Sequence, residues 1–261
     1  NGGLHQGKYG GIDTCSAVIR LNDNGFYTLM IGATDMGTGC DTILAQMAAE
    51  VLHCPVSRVT VDGVDTDHSP FDKGSYASGT TYLTGMAVVK ASTKLAAEIR
   101  QQGANRLGVP VLQVMFDGEQ VVSKTDPDLK ISLSDLAQQL VVGDGEWLPC
   151  TATHSSPVSP PPLMAGFAEV EVDTETGKVS VVDYVAVVDC GTVVNPNLAT
   201  VQTQGGVAQG IGMALWEDIQ YNAHGRMLND SFMQYKIPSR LDLPDIRVEF
   251  MPSYEPTGPF G

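Results

Sequence analysis

Two glycine-rich segments, each followed by a stretch of helical periodicity, place the strongest constraint on how this chain folds. The first extends from Gly32 to Thr42 and the second from Gly74 to Thr81, and both are rich in Ser and Thr. Glycine lets the backbone approach a ligand closely, and the first turn of a helix presents N–H groups without intrahelical acceptors. One such loop is weak evidence, but two in one chain predict a site for a large anionic cofactor.

Apolar spacing and turn signals predict an alternation of hairpins, helices and single strands. The expected strands cover 12–21, 26–31, 58–61, 167–172, 179–189 and 246–250, and the expected helices cover 41–52, 82–100, 135–142 and 198–216. Asn24-Gly25 is typical of a hairpin turn, and the prolines between 155 and 162 exclude a helix or central strand there. This order predicts an α+β fold in which helices pack on mixed or antiparallel sheets. We expect two halves, 1–150 and 151–261, that pack as one unit.

The composition restricts the classes of protein to which the chain can belong. With 261 residues and 43% hydrophobic content, it is large enough for a substantial core. Its formal net charge of −15 would repel a phosphate backbone, so we expect no nucleic-acid partner. No apolar run approaches the roughly 20 residues that cross a bilayer, and the first residues lack a signal-peptide pattern, so we expect no membrane partner.

Metal-ligand and nucleophile patterns are also missing from the sequence. The five cysteines are widely spaced without a C-x-x-C pair, which argues against a disulfide scaffold, a zinc site and an iron–sulfur cluster. The five histidines form no metal-binding pattern, and no G-x-S-x-G elbow is present. We therefore predict no catalytic residue and no metal ligand from this chain. Reduced thiols in a cytoplasmic protein are the simplest interpretation.

Each glycine-rich segment has a structural interpretation beside the functional one. Met36 to Thr42 contains the spacing G-x-G-x-x-T, which lacks the Lys of a Walker loop and the third Gly of a dinucleotide fingerprint. It fits capture of a pyrophosphate by backbone N–H groups, or a tight strand-to-helix turn capped by Asp41. The hydroxyls between Ser75 and Thr81 fit either hydrogen bonds to a cofactor or simple helix capping.

The helix expected over 198–216 contains four glycines, each of which destabilises a helix by about 0.5–1 kcal/mol relative to Ala. Glycines in a helix interior indicate close approach of another backbone or of a ligand. Gln209, beside Gly210, is the glutamine of this helix that best fits a ligand contact. Asp189 ends the preceding strand, where a loop-capping role is favoured over a catalytic one.

Four segments together make the chain resemble the molybdenum-binding subunit of the molybdenum hydroxylases, the xanthine dehydrogenase and aldehyde oxidase family. Gly32 to Thr42 is similar to the family loop G-G/A-T-E/D-M-G-Q-G, and Ser75 to Gly85 is similar to its Ala-Ser-x-x-Thr loop and the helix after it. Val187 to Pro196 is similar to the V-x-D-x-G…N-P turn, and Gln202 to Gly210 is similar to the Q-x-E-G-G-x-x-Q-G helix. The segments follow the family's order and span nearly the whole chain. The resemblance implies the α+β fold of that family's molybdopterin-binding domain.

The resemblance further implies a molybdopterin cofactor with molybdenum, which in bacteria is usually extended by a cytosine dinucleotide. Molybdenum is held in this family by the cofactor's dithiolene sulfurs, which agrees with the lack of protein ligands. The implied contacts are Gly37, Thr38, Gly39 and Thr42 to the phosphates and neighbouring groups, Ala77 near the metal, Ser78, Thr80 and Thr81 to the cofactor, and Gln209 to the pterin.

The family's reaction implies partners for this chain. Members hydroxylate a purine, another N-heteroaromatic or an aldehyde with oxygen from water, and pass electrons to 2Fe-2S clusters and often to FAD. We therefore expect iron–sulfur and FAD domains or subunits, the N-terminal half of the molybdenum subunit and a small-molecule substrate. The tail Gly258-Pro259-Phe260-Gly261 is similar to the start of the segment that carries the family's general-base Glu. By that resemblance we expect the isolated chain to be inactive.

Two residues depart from the family pattern and leave an alternative open. Thr38 stands where many members have Gln, and Gln204 stands where Glu is common. These changes permit a second hypothesis, a non-catalytic scaffold of the same fold that binds no cofactor. A general nucleotide-binding enzyme is disfavoured by the missing Walker Lys and the incomplete dinucleotide fingerprint.

Overall fold

The computed structural model describes residues 13–145, 147–156 and 158–261. The strands are β1 (Thr14–Leu21), β2 (Tyr27–Ile31), β3 (Val59–Gly63), β4 (Val114–Phe116), β5 (Gln120–Ser123), β6 (Lys130–Ser132), β7 (Leu148–Ser155), β8 (Leu163–Val172), β9 (Val179–Asp189) and β10 (Ile246–Phe250). The α-helices are α1 (Cys40–Leu52), α2 (Thr80–Leu107), α3 (Leu133–Gln138) and α4 (Pro196–Leu215). The first residues of the chain, where no signal peptide is expected, and the first residue of the strand expected from 12 lie outside the described residues.

A four-stranded sheet in the order β3-β2-β1-β7 forms the base of the first compact unit. β1 and β2 are antiparallel, and the expected turn between them contains Gly25 at φ +79°. β3 runs parallel to β2, because α1 carries the chain back before β3 begins. One face of β1 is buried through Ala17, Ile19 and Leu21, as an alternating strand with one face in the core requires.

Helices α1 and α2 pack on this sheet and on each other. Leu44 and Met47 of α1 and Leu83 and Leu95 of α2 are fully buried. The two helices approach closely at Gly85, where an added Cβ would lie 2.7 Å from Met47 Sδ. Because both helices follow the glycine-rich segments directly, this packing fixes the helix starts in one part of the unit.

α2 is longer than the periodicity indicates, and it covers a second sheet that the sequence analysis missed. The helix continues past Arg100 to Leu107 and ends at Gly108, which has φ +67°. Its later turns pack on a three-stranded sheet in the order β4-β5-β6, whose strands have only three or four residues. Gly103 permits this contact, because an added Cβ there would lie 2.6 Å from Cβ of Val121.

The second compact unit is a three-stranded sheet in the order β10-β9-β8 with α4 on one face. β8 and β9 form the antiparallel hairpin expected from the sequence, with a bulge between Glu169 and Val170. β10 is parallel to β9 and has the bounds expected for it. Ala186, Val207 and Ile211 form the buried core between sheet and helix.

The two units divide the chain at 161/162, and the C-terminal tail belongs to the first unit. The first unit contains the described residues up to 161 together with Glu255–Gly261, and the second unit is Pro162–Tyr254. β7 lies with the first unit because it pairs with β1 along its whole length. The tail is held by Tyr82 of α2, whose hydroxyl lies 2.8 Å from Ser156 Oγ and 2.6 Å from Thr257 Oγ1. The division at 150/151 expected from the sequence remains a prediction.

Among the described residues, no helix combines the length and the apolarity needed to cross a bilayer.

Candidate cofactor-binding site

The first glycine-rich segment turns around the carboxylate of Asp35. Its Oδ1 atom accepts hydrogen bonds from the backbone N–H of Gly37 at 2.9 Å and from that of Gly39 at 3.1 Å. Gly37 has φ +100° and Gly39 has φ +73°, conformations that side chains disfavour. The two glycines are therefore required by the turn itself.

The environment of Asp35 favours its charged form. Desolvation raises the pKa of this carboxyl, but hydrogen bonds from the surrounding backbone N–H groups outweigh it, so the pKa lies below its ordinary value. The amides of Gly37 and Gly39, expected from the resemblance to hold phosphates, thus already donate to a charged oxygen of the chain. A phosphate could use them only in exchange with Asp35.

The next residues of this segment leave donors available. Thr38 Oγ1 is buried and makes no hydrogen bond of ordinary geometry among the described residues, although it interacts with the Cys40 thiol. α1 begins at Cys40 after Gly39, and this N-cap glycine has no side chain that could cap the helix. Thr42 is exposed in the first turn of this helix.

The second glycine-rich segment rests on an anchored base. Asp72 accepts a hydrogen bond from the N–H of Gly74 at 2.8 Å and another from the buried hydroxyl of Thr84 at 2.8 Å. Lys73 Nζ lies 2.6 Å from Asp13 Oδ1, and both side chains are about 95% buried, at 4% and 5% exposure. Removal of either partner of this pair would leave an unpaired buried charge, which is strongly destabilising.

The loop above this base has an unusual backbone. Ala77 and Ser78 both have φ +53°, in the left-handed region that side chains disfavour. Such conformations cost of order 1–3 kcal/mol each and are concentrated at functional sites. α2 then begins at Thr80 after Gly79, again without a side-chain cap, while Thr81 is exposed in its first turn.

The missing caps distinguish α1 and α2 from the other α-helices. Ser132 accepts a hydrogen bond from the N–H of Asp135 at the start of α3, and Asn195 does the same for Leu198 at the start of α4. At α1 and α2 the N-cap residue is a glycine and makes no such bond. At α1 the Asp35 carboxylate interacts with the N–H of Asp41 in the first turn, whereas α2 has no acidic residue in its first turn to compensate the helix dipole. The start of α2 therefore has the properties of an anion-binding site.

Ser75 joins the two loops. Its hydroxyl accepts a hydrogen bond from the N–H of Thr34 at 3.0 Å and donates to the carbonyl of Thr34 at 2.9 Å. Gly32 strengthens the contact, because an added Cβ would lie 2.5 Å from the carbonyl oxygen of Pro70. The structure thus brings the predicted site residues Gly37, Thr38, Gly39, Thr42, Ala77, Ser78, Thr80 and Thr81 into one unit on two connected loops. The sequence analysis gave no role to Ser75, Asp35 or Asp72.

The candidate residues of the second unit have different surroundings. Gln209 is exposed on α4. Gln204 donates from Nε2 to the carbonyl of Ile246 at 2.9 Å, a bond that the Glu common in the family could not make when charged. Asp189 accepts hydrogen bonds from Ser253 and from the N–H of Gly191, which lower its pKa. The capping role favoured for Asp189 agrees with these contacts.

One group of side chains has the spacing of metal ligands. Ligand atoms of Asp35, Cys40 and Asp41 all lie within 4.8 Å of one another. Burial raises the pKa of the Cys40 thiol to about 11, with the neighbouring carboxylates adding to the shift, so the thiol remains protonated at neutral pH. Because a metal binds the thiolate and Asp35 already serves the loop amides, this group is a poor metal site.

A family model described as the molybdopterin cofactor-binding domain matches residues 3–244. The protein named "Probable hypoxanthine oxidase XdhD" from Escherichia coli strain K12 is 39% identical over 252 residues, which are 96% of this chain and 26% of that protein. The "Xanthine dehydrogenase molybdenum-binding subunit" of Escherichia coli O157:H7 is 32% identical over 256 residues, 96% of this chain and 34% of that protein. The chain spans between about a quarter and a third of the length of these relatives.

Solved structures agree with this assignment and confirm the predicted α+β fold. The crystal structure of quinoline 2-oxidoreductase from Pseudomonas putida 86 matches with a TM-score of 0.85 and 28% identity, over 94% of this chain and 32% of that chain. The Cu,Mo-CO dehydrogenase matches with a TM-score of 0.87 and 26% identity, over 96% of this chain and 32% of that chain. The chain therefore belongs to the molybdenum hydroxylase family and carries the molybdopterin cofactor-binding domain of its xanthine dehydrogenase-like members.

Proposed function

We propose that the two connected loops of the first unit hold the phosphates and polar edges of a molybdopterin cofactor in its cytosine dinucleotide form. The observation that carries this proposal is the start of α2 at Thr80, which has neither a side-chain cap nor an acidic residue in its first turn. The hydroxyls of Thr38, Thr42 and Thr81 supply further donors, the last two from exposed side chains. The pterin contact of Gln209 on α4 is a separate proposal, which rests on the resemblance alone.

The proposed reaction is the oxidative hydroxylation of a purine, another N-heteroaromatic or an aldehyde with oxygen from water. When bound, the cofactor supplies the two-electron redox chemistry, while this chain's residues bind and orient it. We propose partner domains or subunits with 2Fe-2S clusters and FAD, together with the N-terminal half of the molybdenum subunit. The names of the relatives, hypoxanthine oxidase and xanthine dehydrogenase, support an oxidoreductase of this kind.

The cytoplasmic location and the inactivity of the isolated chain remain predictions.

The helix start of α2 offers a test that separates binding from folding. Thr81→Asp places a negative charge in the first turn, where it stabilises the helix by about 0.3–1 kcal/mol but repels an anionic ligand. Thr81→Asn has nearly the same shape and no charge. We expect the aspartate variant, in the complete molybdenum subunit reconstituted with its partners, to lose at least about tenfold in cofactor affinity. The asparagine variant should retain it.

The measurement is molybdenum per protein molecule by elemental analysis, together with the melting temperature of each variant. Lower molybdenum content with an unchanged or higher melting temperature supports the proposal. Equal molybdenum content in both variants would show that the start of α2 does not face the cofactor.

The contacts of Asp35 favour a second candidate function, a scaffold of the same fold that binds no cofactor. Its carboxylate occupies the amides of Gly37 and Gly39 and adds negative charge where phosphates are expected. Molybdenum analysis of the reconstituted wild-type subunit separates the two candidates. Stoichiometric molybdenum excludes the scaffold, and its absence under conditions that load a relative supports it.

A further inference from the structure

The second unit exposes apolar side chains along the whole of β8. Every residue of Leu163–Val172 is exposed, and the apolar members include Leu163 at 65%, Phe167 at 66% and Val170 at 51%. Single exposed apolar residues are common, but a continuous row along one strand indicates an interaction surface.

Both faces of this strand are uncovered. Met164 pairs with Val188 and Val170 pairs with Val181, residues of β9 that pack in the core cluster beneath α4. Met164 and Val170 therefore lie on the α4 side of the sheet, yet both remain more than half exposed, at 55% and 51%. Leu163 and Phe167 lie on the opposite side of the sheet, because successive side chains of a strand point to alternate faces.

The outer edge of β8 is also open. β8 is the last strand in the order β10-β9-β8, so among the described residues its outer edge has no strand partner. Proteins normally protect such an edge with Lys, Pro, a short strand or a covering element. β8 has ten residues, contains neither Lys nor Pro, and has Glu169 and Glu171 as its charged residues.

The second unit buries few residues for its length. Within 162–254, the buried residues are Ala186, Gly191, Val207, Ile211, Gly212 and Asn229. A segment of this size needs a larger apolar core to offset its loss of conformational entropy. The second unit therefore has both a small buried core and a large exposed apolar surface. This combination indicates that another protein surface packs against the unit.

We propose that β8, on both faces and along its outer edge, is the docking surface for the remainder of the molybdenum subunit. This inference rests on the proposed function. The relatives that contain a matching segment are about three to four times as long as this chain, so they carry the protein mass that the surface requires. One large body can cover an edge and two faces together, whereas edge pairing with a second copy would cover the edge alone.

The pattern of β8 specifies the chemistry of the contacting surface. On the side away from α4, Leu163 and Phe167 are followed by the carboxylates of Glu169 and Glu171. The contacting surface is therefore apolar opposite the first half of the strand and basic opposite the second half. A strand of the partner that continues the sheet would satisfy the outward N–H and carbonyl groups of β8.

Hydrogen exchange of the β8 amides tests the proposal directly. We expect fast exchange on the outer edge of β8 in the 261-residue chain, and exchange at least about tenfold slower in the complete molybdenum subunit. Fast exchange in both would overturn the proposal. Slow exchange in the isolated chain would also overturn it, with dimers in sedimentation indicating a second copy and monomers indicating that the chain covers the strand itself.

Two substitutions of Phe167, one to a charged residue and one to an apolar residue, test the same surface. Phe167→Glu should leave the stability of the isolated chain within about 0.5 kcal/mol, because the side chain is exposed there. In the complete subunit it should lower the melting temperature and restore fast exchange in β8, whereas Phe167→Leu should do neither. Equal behaviour of the two variants in the complete subunit would contradict the proposal.

These outcomes are independent of cofactor binding. Slow β8 exchange in a complete subunit that contains no molybdenum would support the docking surface and refute the proposed function. Molybdenum in a complete subunit whose β8 exchanges quickly would support the proposed function and refute the docking surface.

Discussion

Single polar side chains, rather than the glycines alone, define the geometry of the candidate site. Asp35 organises the first loop through two backbone amides, and Asp72 organises the base of the second through Gly74 and Thr84. Ser75 then joins the loops through both backbone groups of Thr34. Substitutions at these positions should affect the loops without disturbing the core.

The charge of Asp35 makes a pH-dependent contribution to stability. Because its pKa is lowered in the folded chain, its stabilising effect is present above an unfolded pKa of about 4 and is lost as pH falls through the folded pKa. Asp35→Asn keeps an acceptor oxygen but removes the charge. We expect this variant to be about 0.5–1 kcal/mol less stable than wild type at pH 7, and the difference to shrink towards pH 3. Urea unfolding at several pH values measures it, and a difference independent of pH would contradict the assigned role.

Ser75→Ala tests the connection between the loops. The variant loses two partly exposed hydrogen bonds, so we expect the free energy of unfolding to fall by about 1–2 kcal/mol. Ser78→Ala is the control, because Ser78 is exposed and Ala77 already adopts the same φ of +53°. Chemical denaturation of both variants gives the comparison. An equal, small effect in both would mean that Ser75 does not hold the loops together.

In α2 and α4, the atoms around each glycine determine whether the packing requires a residue without a side chain at that position. Gly103 of α2 is required by close packing, since an added Cβ would meet Val121 at 2.6 Å. An added Cβ at Gly205, Gly206 or Gly210 of α4 would meet nothing within 4 Å. Packing within the chain explains the first glycine, but among the described residues it gives no reason for the other three.

Alanine substitutions should therefore act in opposite directions in the two helices. We expect Gly103→Ala to destabilise the chain by about 1–3 kcal/mol through overpacking, despite the better helix propensity of Ala. Gly205→Ala should stabilise the isolated chain by about 0.5–1 kcal/mol, because nothing opposes the added methyl group. Thermal unfolding of both variants is the measurement. Destabilisation by Gly205→Ala would reveal a contact that this helix makes within the chain.

For the molecule as a whole, the unequal cores imply unequal stability. The first unit contains most of the buried apolar residues, while the second has the small cluster around Ala186, Val207 and Ile211. The two tryptophans report on the units separately, because Trp147 lies in the first and Trp216 in the second.

We expect the second unit of the isolated chain to unfold at lower urea concentration than the first. Trp147→Phe leaves only the signal of Trp216, and Trp216→Phe leaves only that of Trp147. The fluorescence midpoint should be lower for the variant that retains Trp216. Coincident midpoints would show a single cooperative transition and would contradict the division of stability inferred from the cores.

The sequence predicted those elements that have local signals. Asn24-Gly25 and the alternating residues around it predicted the first hairpin, and helical periodicity predicted α1 and the start of α2 within a few residues. β4, β5 and β6 are too short to show alternation, so they were missed. The end of α2 was missed because Gly103, which periodicity treats as a weak helix residue, is stabilised there by distant packing on Val121.

The candidate site was predictable to the same extent. Residues within each loop were found because Gly, Ser and Thr cluster in sequence. The D-x-G spacing from Asp35 to Gly37 could have signalled the carboxylate–amide contact, since Asp often bonds to a backbone N–H two residues on. The Ser75–Thr34 contact joins residues 41 positions apart and has no local signal.

The hydroxyl of Tyr82 touches the chain both where it leaves the first unit, at Ser156, and where it returns, at Thr257. Pro162–Tyr254 is therefore inserted between two segments of the first unit, and both segments contact the hydroxyl of Tyr82. A short Gly-Ser bridge could then replace the whole excursion, and the excised protein should still fold around β1, β2, α1 and α2.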